Sequence, residues 1–231
     1  MSNNQGGLTY YVDIVLCIDA TGSMGPVIEN VKSKALQLPD DLVNAMAEKD
    51  KAVTQLRLRV IAYRDILHDS ETASMVASEF FTLPDDRLGF DAFIGGISAD
   101  GGGDEPESGL EALAVAINSA WTADGDRRRH VVVIMTDASA HPLEKGVGRV
   151  PPAFASLVPS SFDELSDMWT GGQKTRIGVN SRRLVLFTPE MTPWPTIQEH
   201  WEQVTMFPSQ AGAGLSQVEY DEIIDILVNS V

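Results

Sequence analysis

Short apolar segments that end in turn residues alternate along the chain with longer segments in which apolar positions recur at helical spacing. The clearest strand patterns cover residues 14–18, 55–63 and 130–135, which are almost continuously apolar where they end. Such runs are typical of strands that are buried on both faces of a parallel sheet. Further strands are predicted at 80–83, 184–188 and 204–207, and helices at 26–51, 90–97, 107–117, 161–170, 196–203 and 215–231. The alternation predicts an α/β, Rossmann-like, doubly wound fold with a mostly parallel central sheet and helices on both faces.

Prolines mark the predicted limits of several helices. Pro26 would occupy the first turn of the first helical segment, and Pro39 inside that segment predicts a kink or a break into two helices. Pro106 or Glu107 would begin the helix that follows a run of three glycines. We expect a single domain over residues 1–231, with a lead-in at 1–10 and a long surface loop at 138–160.

The chain is strongly acidic, with 33 Asp and Glu residues against 17 Lys and Arg and a net charge of −16. This balance argues against nucleic acid or an anionic membrane surface as a partner, and favours metal ions or a basic protein surface. Cys17 is the one cysteine, so no intramolecular disulfide can form. The polar start MSNNQGGLTYY does not resemble a secretion signal, and no apolar run is as long as a membrane span. We therefore expect a cytoplasmic protein.

Three oxygen-bearing side chains follow the first predicted strand at alternate positions: Asp19, Thr21 and Ser23. Alternate residues of an extended segment point the same way, so these side chains can face one point. Carboxylate and hydroxyl oxygens are hard ligands that suit Mg²⁺, Mn²⁺ or Ca²⁺. An alternative is that Thr21 or Ser23 caps the following helix and that Asp19 only ends the strand.

Two more aspartates occupy corresponding places later in the chain. Asp137 follows the strand at 130–135, and Asp104 lies in the stretch DGGGDEPE just before a predicted helix. Asp104 could equally be an ordinary N-cap residue in a flexible acidic loop. In a doubly wound sheet, however, the loops after the carboxyl ends of the strands share one crevice. The convergence of Asp19, Asp104 and Asp137 predicts a divalent cation site, with Mg²⁺ preferred to Mn²⁺ or Ca²⁺.

The segment Asp19-Ala20-Thr21-Gly22-Ser23-Met24 resembles the D-x-[S/T]-G-S-M signature of von Willebrand factor type A (VWA) domains, which opens their metal-ion-dependent adhesion site (MIDAS). Thr136-Asp137 is similar to the third motif of that family, whose aspartate usually reaches the metal through a water. Asp104 stands where the family commonly has a threonine, so the resemblance implies a more negative site here. The ligand set that it implies is Asp19, Thr21, Ser23, Asp104 and Asp137.

The resemblance also implies a function. A VWA-like chain would be a non-enzymatic, metal-dependent protein-binding module, in which an Asp or Glu carboxylate from a partner protein completes the coordination of the metal. The second loop, GGGDEPE, resembles that of intracellular and bacterial members, some of which are encoded beside protein kinases and metal-dependent phosphatases. That similarity favours a place in a bacterial signalling or stress-response assembly.

The alternative is a metal-assisted phosphoryl-transfer or hydrolytic enzyme that uses Asp19. Phosphatases of the haloacid dehalogenase type also place an aspartate after a first strand, but Cys17 stands where their nucleophilic aspartate should be. His141 follows the third motif, and nothing in the sequence pairs it with a nucleophile. Three residues are candidates for an outer acidic ring, each expected to be solvated: Asp65, Glu105 and Glu107.

Overall fold

The computed structural model describes residues 9–103, 105–172 and 175–208, and seven strands in this part of the chain form one sheet. Their bounds are Tyr10–Asp19 (β1), Val53–Tyr63 (β2), Met75–Ala77 (β3), Phe81–Leu83 (β4), Arg127–Met135 (β5), Arg182–Thr188 (β6) and Val204–Pro208 (β7). The order across the sheet is β3-β2-β1-β5-β6-β7, and β4 also pairs with β2. β3 and β4 run antiparallel to β2, whereas all other pairs are parallel.

Helices cover both faces of this sheet, which confirms the predicted α/β fold. Their bounds are Ile28–Glu48 (α1), Glu71–Ser74 (α2), Arg87–Gly95 (α3), Gly109–Ile117 (α4), Leu143–Gly146 (α5), Phe162–Thr170 (α6) and Trp194–His200 (α7). A 3₁₀ turn at Gly22–Met24 lies between β1 and α1. One apolar cluster joins α1 and α3 to one face, and a second joins α4, α5, α6 and α7 to the other.

The register of the central strands aligns their carboxyl ends. Asp19 at the end of β1 pairs with Tyr63 at the end of β2, and Ile18 pairs with Met135 at the end of β5. The loops that follow these three strands therefore leave the sheet side by side, as the doubly wound topology requires.

Pro39 was predicted to kink the first helix or to break it in two, and the break is wrong because α1 is one continuous helix. α1 runs through Pro39, which is buried together with Leu38, Leu42 and Met46. Apolar contacts on both sides of the proline hold the two halves of the helix together and offset the lost N–H hydrogen bond. Pro26 also lies before the helix rather than in its first turn, because the 3₁₀ turn delays the start of α1 to Ile28.

The predicted start of α4 is wrong by two or three residues. Glu107 forms an isolated parallel bridge with Ala140, and its carbonyl accepts a hydrogen bond from His141 N at 2.9 Å. The backbone at Glu107 is therefore extended, and α4 begins only at Gly109.

The segment 138–160, predicted to be a surface loop, is more structured than expected. It contains α5, and Ala140, His141 and Leu143 are buried. The predicted closing helix at 215–231 lies outside the described residues, and the extent of the domain stays a prediction. Within the described residues, no helix is long and apolar enough to cross a membrane.

Candidate metal centre

Asp19 ends β1 with a side chain that is completely buried. Its Oδ1 accepts hydrogen bonds from Thr21 N at 2.9 Å and from Thr21 Oγ1 at 2.6 Å. Its Oδ2 accepts one from Thr136 Oγ1 at 2.5 Å. Because Thr136 is the first residue after β5, the Asp19 carboxylate joins two neighbouring loops at the carboxyl edge of the sheet.

Ser23 extends this arrangement to Asp137. Thr21 Oγ1 and Ser23 Oγ lie 3.1 Å apart, and Ser23 Oγ donates a hydrogen bond to Asp137 Oδ1 at 3.0 Å. The structure thus brings together Asp19, Thr21, Ser23 and Asp137 through a continuous chain of hydrogen bonds, here called the oxygen chain. The capping alternative is wrong, since no side chain caps the 3₁₀ turn or α1.

Burial disfavours the ionised form of both carboxyl groups in the oxygen chain. Burial raises the pKa of Asp19 to about 6, even though hydrogen bonds from Thr136 and Thr21 act in the opposite direction. Burial also raises the pKa of Asp137, against the lowering effect of the bond from Ser23. A divalent cation placed between these carboxylates would supply positive charge and lower both pKa values.

A cavity of about 360 Å³ opens beside the oxygen chain. Its polar lining comes from Thr21, Ser23, Glu105, Glu107 and Asp137, and none of the described residues that line it is basic. Glu105 is exposed and its Oε1 accepts a hydrogen bond from Ser139 N at 2.8 Å. The cavity therefore presents an acidic, oxygen-rich surface.

Glu107 does not occupy the solvated position expected of it. It is only 5% exposed, and its Oε2 has no hydrogen-bond partner within the described residues. Burial raises the pKa of Glu107 to about 9, and the nearby Asp19 and Asp65 add to the effect. Asp65 is also buried, so the expectation of a solvated outer ring holds only for Glu105.

Asp65 contacts two histidines, His68 and His141. Its Oδ2 contacts His68 Nδ1 and lies 3.4 Å from His141 Nε2, while its Oδ1 accepts a bond from Leu67 N at 2.7 Å. His141 is buried and lies close to the site through its backbone bond to Glu107. Asp65 and His141 are 76 residues apart in the sequence, so no local pattern predicts that they are in contact.

Arg64 connects the loop that follows β1 to the loop that precedes α4. Its Nε donates to the carbonyl oxygens of Ala20 at 3.1 Å and Asp100 at 2.7 Å. Its other two nitrogens donate to the carbonyls of Ala73 at 2.6 Å and Ser98 at 2.9 Å. The only sequence signal was a charged pair at the end of a strand, which does not distinguish a structural guanidinium from a solvated one.

Trp194 of α7 holds the loop that follows β5. Trp194 Nε1 donates to the carbonyl of Ala138, the residue after Asp137, at 2.9 Å. The indole ring also lies against Gly109 at the start of α4, where a Cβ atom would come within 2.8 Å of ring carbons. Glycine is required at this position by the close approach of the ring.

The donor set fits a small divalent cation. Within the described residues, no group of three or more His, Cys, Asp or Glu side chains could hold a metal ion. The hydroxyl groups of Thr21 and Ser23 would therefore have to contribute beside the carboxylates of Asp19 and Asp137, a combination that suits Mg²⁺ with its retained waters. The fifth predicted ligand, Asp104, lies outside the described residues.

The chain is thus an α/β domain whose mostly parallel sheet carries an Asp-x-Thr-x-Ser loop and a Thr-Asp loop at its carboxyl edge. The sequence model of the von Willebrand factor A domain matches residues 13–147. The chain belongs to this family, as the resemblance implied.

Two curated relatives are similar to the chain over a small part of their own length. An ariadne-like RING finger protein of Acanthamoeba polyphaga mimivirus is 33% identical over 122 residues, which cover 49% of this chain and 11% of that protein. The α-protein kinase vwkA of Dictyostelium discoideum is 29% identical over 133 residues, which cover 58% of this chain and 19% of the kinase. The chain thus spans no more than about a fifth of these relatives.

A solved structure shows the same fold. Proximal thread matrix protein 1 from the mussel byssus, with a zinc-occupied MIDAS motif, superposes with a TM-score of 0.53 and 12% identity, covering 94% of this chain and 46% of that chain. A likeness at this identity concerns the fold and not the function.

Proposed function

We propose that the chain is a non-enzymatic protein-binding module that depends on a divalent cation, with Mg²⁺ as the cellular ion. Asp19, Thr21, Ser23 and Asp137 would hold the cation, together with Asp104. When bound, the cation supplies a Lewis-acidic centre that accepts an anionic oxygen. The partner would be a protein that presents an Asp or Glu carboxylate.

The observation that carries this proposal is the oxygen chain from Asp19 to Asp137. It aligns two carboxylates and two hydroxyls beside an open cavity, and burial raises the pKa values of both carboxyl groups. Hard oxygen donors in this number leave room for waters or one outside ligand around Mg²⁺. The net charge of −16 further supports a protein partner over nucleic acid or an anionic membrane.

The cellular context is also a proposal. The relatives named as an α-protein kinase and a RING finger protein contain a similar segment as a small part of a longer chain. This pattern supports a recognition role within or beside a signalling protein, and we propose a bacterial, cytoplasmic signalling or stress-response assembly with a kinase or phosphatase. The byssus protein with zinc in its MIDAS motif supports a metal at the corresponding place.

The alternative enzyme would use Asp19 for phosphoryl transfer or hydrolysis. Asp19 is buried and both of its oxygens accept hydrogen bonds, which suits a metal ligand better than an attacking nucleophile. Cys17, which is also buried, has its thiol pKa raised by burial and is equally unsuited to attack. Turnover of a generic phosphate ester with Mg²⁺, abolished by Asp19→Asn, would support the enzyme instead.

The first experiment is calorimetric titration of chelator-treated protein with Mg²⁺, Mn²⁺ and Ca²⁺. We expect saturable binding by the wild type and none by Asp137→Ala. Glu199→Ala is the matched control, because Glu199 is an exposed carboxylate at the far end of α7. Since Asp19 is buried, Asp19→Asn and Ser23→Ala serve as milder variants, with circular dichroism to establish that each one folds.

Absence of binding at millimolar ion concentration would overturn the metal-dependent function. If the ions bind, capture of partner proteins with and without chelator follows. A partner retained equally well by Asp137→Ala and by the wild type would show that the interaction does not pass through the cation.

A further inference from the structure

A second surface lies far from the metal centre, between α1 and the antiparallel pair of strands β2 and β4. It is a groove of about 430 Å³, here called the α1–β4 groove. Apolar side chains make up most of its lining: Pro39, Val43, Leu56, Leu83 and Pro84. Leu56 lies seven residues before the end of β2, or about 23 Å from the metal edge at the usual rise of a strand. The groove is therefore a separate surface, and a ligand bound there would not depend on the proposed function of the metal centre.

Val43 shows that residues 9–103, 105–172 and 175–208 fill the groove incompletely. It is 42% exposed on α1, whereas its helix neighbours Leu42 and Met46 are completely buried. A large apolar side chain of a partner could cover Val43 and contact the half-buried Leu83 opposite. Burial of such a surface is the usual source of affinity when an apolar groove binds a peptide.

The rim of the groove is acidic. Arg87 is the one basic residue in its described lining, and its charge is already balanced by Asp40 at 3.0 Å and Asp91 at 2.7 Å. Asp85 and Asp86, both exposed, add two further carboxylates between Pro84 and Arg87. Four carboxylates against one guanidinium give this surface a negative potential that favours a basic partner.

The edge of β4 is closed to strand addition. Thr82 N donates to Asp86 Oδ2 at 2.8 Å, and Asp86 N donates to the carbonyl of Thr82 at 2.8 Å. Both polar backbone groups of the central residue of β4 are therefore occupied. A partner must bind through side chains inserted into the groove, as a helix does, rather than through a backbone ladder.

We propose that the α1–β4 groove docks an amphipathic helical segment of a partner protein, with one or two large apolar side chains in the groove and Lys or Arg residues against the aspartates of the rim. The apolar lining, the incompletely covered Val43, the acidic rim and the closed strand edge each specify one property of this ligand.

The test uses a defined probe: a fluorescein-labelled peptide of about 14 residues, or ~four helical turns, made of Leu and Lys with Leu on one helical face. Binding is measured by fluorescence anisotropy at low and high salt, with chelator present to exclude the metal site. A peptide of the same composition with Leu spread around the helix, and one with Glu in place of Lys, are the probe controls.

The decisive variant is Val43→Asp. Although it adds a negative charge, it places a carboxylate in the apolar groove, so we expect affinity for the Lys/Leu peptide to fall at least about tenfold. Val147→Asp makes the same chemical change at a residue that is 62% exposed after α5, on the opposite face of the sheet, and should leave affinity unchanged. Asp85→Asn should weaken binding chiefly at low salt.

Three results would overturn the proposal. Equal effects of Val43→Asp and Val147→Asp would show non-specific attraction to an acidic protein. Equal binding of the peptide with spread Leu residues would show that no apolar face is recognised. Self-association of the wild type that Val43→Asp abolishes would show that a second copy fills the groove. Both substitutions are at exposed positions, and thermal melting establishes that each variant folds.

Discussion

Ser23 Oγ donates a hydrogen bond to Asp137 Oδ1 at 3.0 Å. This bond joins the loop after β1 to the loop after β5, across 114 residues of sequence. The bond aligns the two side chains at the mouth of the cavity, with the hydroxyl between Thr21 and the carboxylate. The alignment comes from hydrogen bonds between the protein's own side chains, so the fold itself supplies part of the ordering that metal binding requires.

Ser23→Ala should therefore weaken cation binding without unfolding the protein. It removes one oxygen donor and frees Asp137, and we expect a loss of Mg²⁺ affinity of about tenfold or more by calorimetry. Ser156→Ala, at an exposed serine in the loop before α6, is the matched control. Undiminished affinity in Ser23→Ala would remove Ser23 from the set of ligands.

Mg²⁺ should stabilise the folded state, because the cation binds an arrangement of loops that the unfolded chain lacks. At a free concentration one hundred times the dissociation constant, the gain in free energy of unfolding is about 2.7 kcal/mol. Thermal melting with Mg²⁺ and with chelator measures it. The melting temperature of Asp137→Ala should not respond to Mg²⁺, and an equal response in the variant would place the stabilising ion elsewhere.

Arg64→Met should destabilise the loops of the site more than a surface substitution would. It removes the donor that bonds the carbonyls of Ala20, Ala73, Ser98 and Asp100, so we expect a loss of about 3 kcal/mol in the free energy of unfolding by urea denaturation. Arg64→Lys keeps the charge but not the fork of donors, and should recover only part of the loss. Full recovery by lysine would show that charge alone matters.

Glu111 should make the protein less stable as the pH rises. It is completely buried in α4, neither of its oxygens has a partner in the described residues, and burial raises its pKa from 4.5 to about 8. Because the folded state then binds more protons than the unfolded state between these values, the free energy of unfolding falls across that range, by at most about 1.4 kcal/mol per pH unit.

Glu111→Gln tests this effect, because glutamine keeps the size of the side chain and cannot ionise. The variant should gain stability over the wild type near pH 8 and show a smaller slope of unfolding free energy with pH. Glu107, whose pKa is raised to about 9, and Asp19, whose pKa is raised to about 6, contribute slopes of the same sign that remain in the variant. An unchanged slope would contradict a buried, protonated Glu111.

The sheet and the positions of four site residues could be predicted from local patterns. Apolar runs that stop at Asp19 and two residues before Asp137 identify buried parallel strands and their carboxyl ends. The sheet topology then brings the two aspartates together. Thr21 and Ser23 were predicted from their alternate spacing. The strand patterns and the alternate spacing could be recognised because each of them involves only residues that are close in sequence.

The remaining features depend on contacts between distant residues. The bridge between Glu107 and Ala140 moves the start of α4 to Gly109, and packing around Pro39 keeps α1 continuous. Arg64 bonds its four carbonyl oxygens only when the chain is folded. The sequence around Glu107 and Arg64 looks like that of solvated loop residues, and the sequence around Pro39 looks like that of a proline that ends a helix. Tertiary contact, rather than propensity, decides their conformation.

The hydrogen bond from Trp194 to the carbonyl of Ala138 makes an indole ring part of the loop that carries Asp137. If Asp137 shifts towards a bound cation, the carbonyl oxygen of Ala138 shifts with it. The polarity of the surroundings of the Trp194 ring then changes, because the indole N–H is bonded to that oxygen. The emission of Trp194 should then differ between the metal-free and the metal-bound protein. We therefore expect the emission of Trp194 to report occupancy of the proposed cation site without an added label, once the other three tryptophans are replaced.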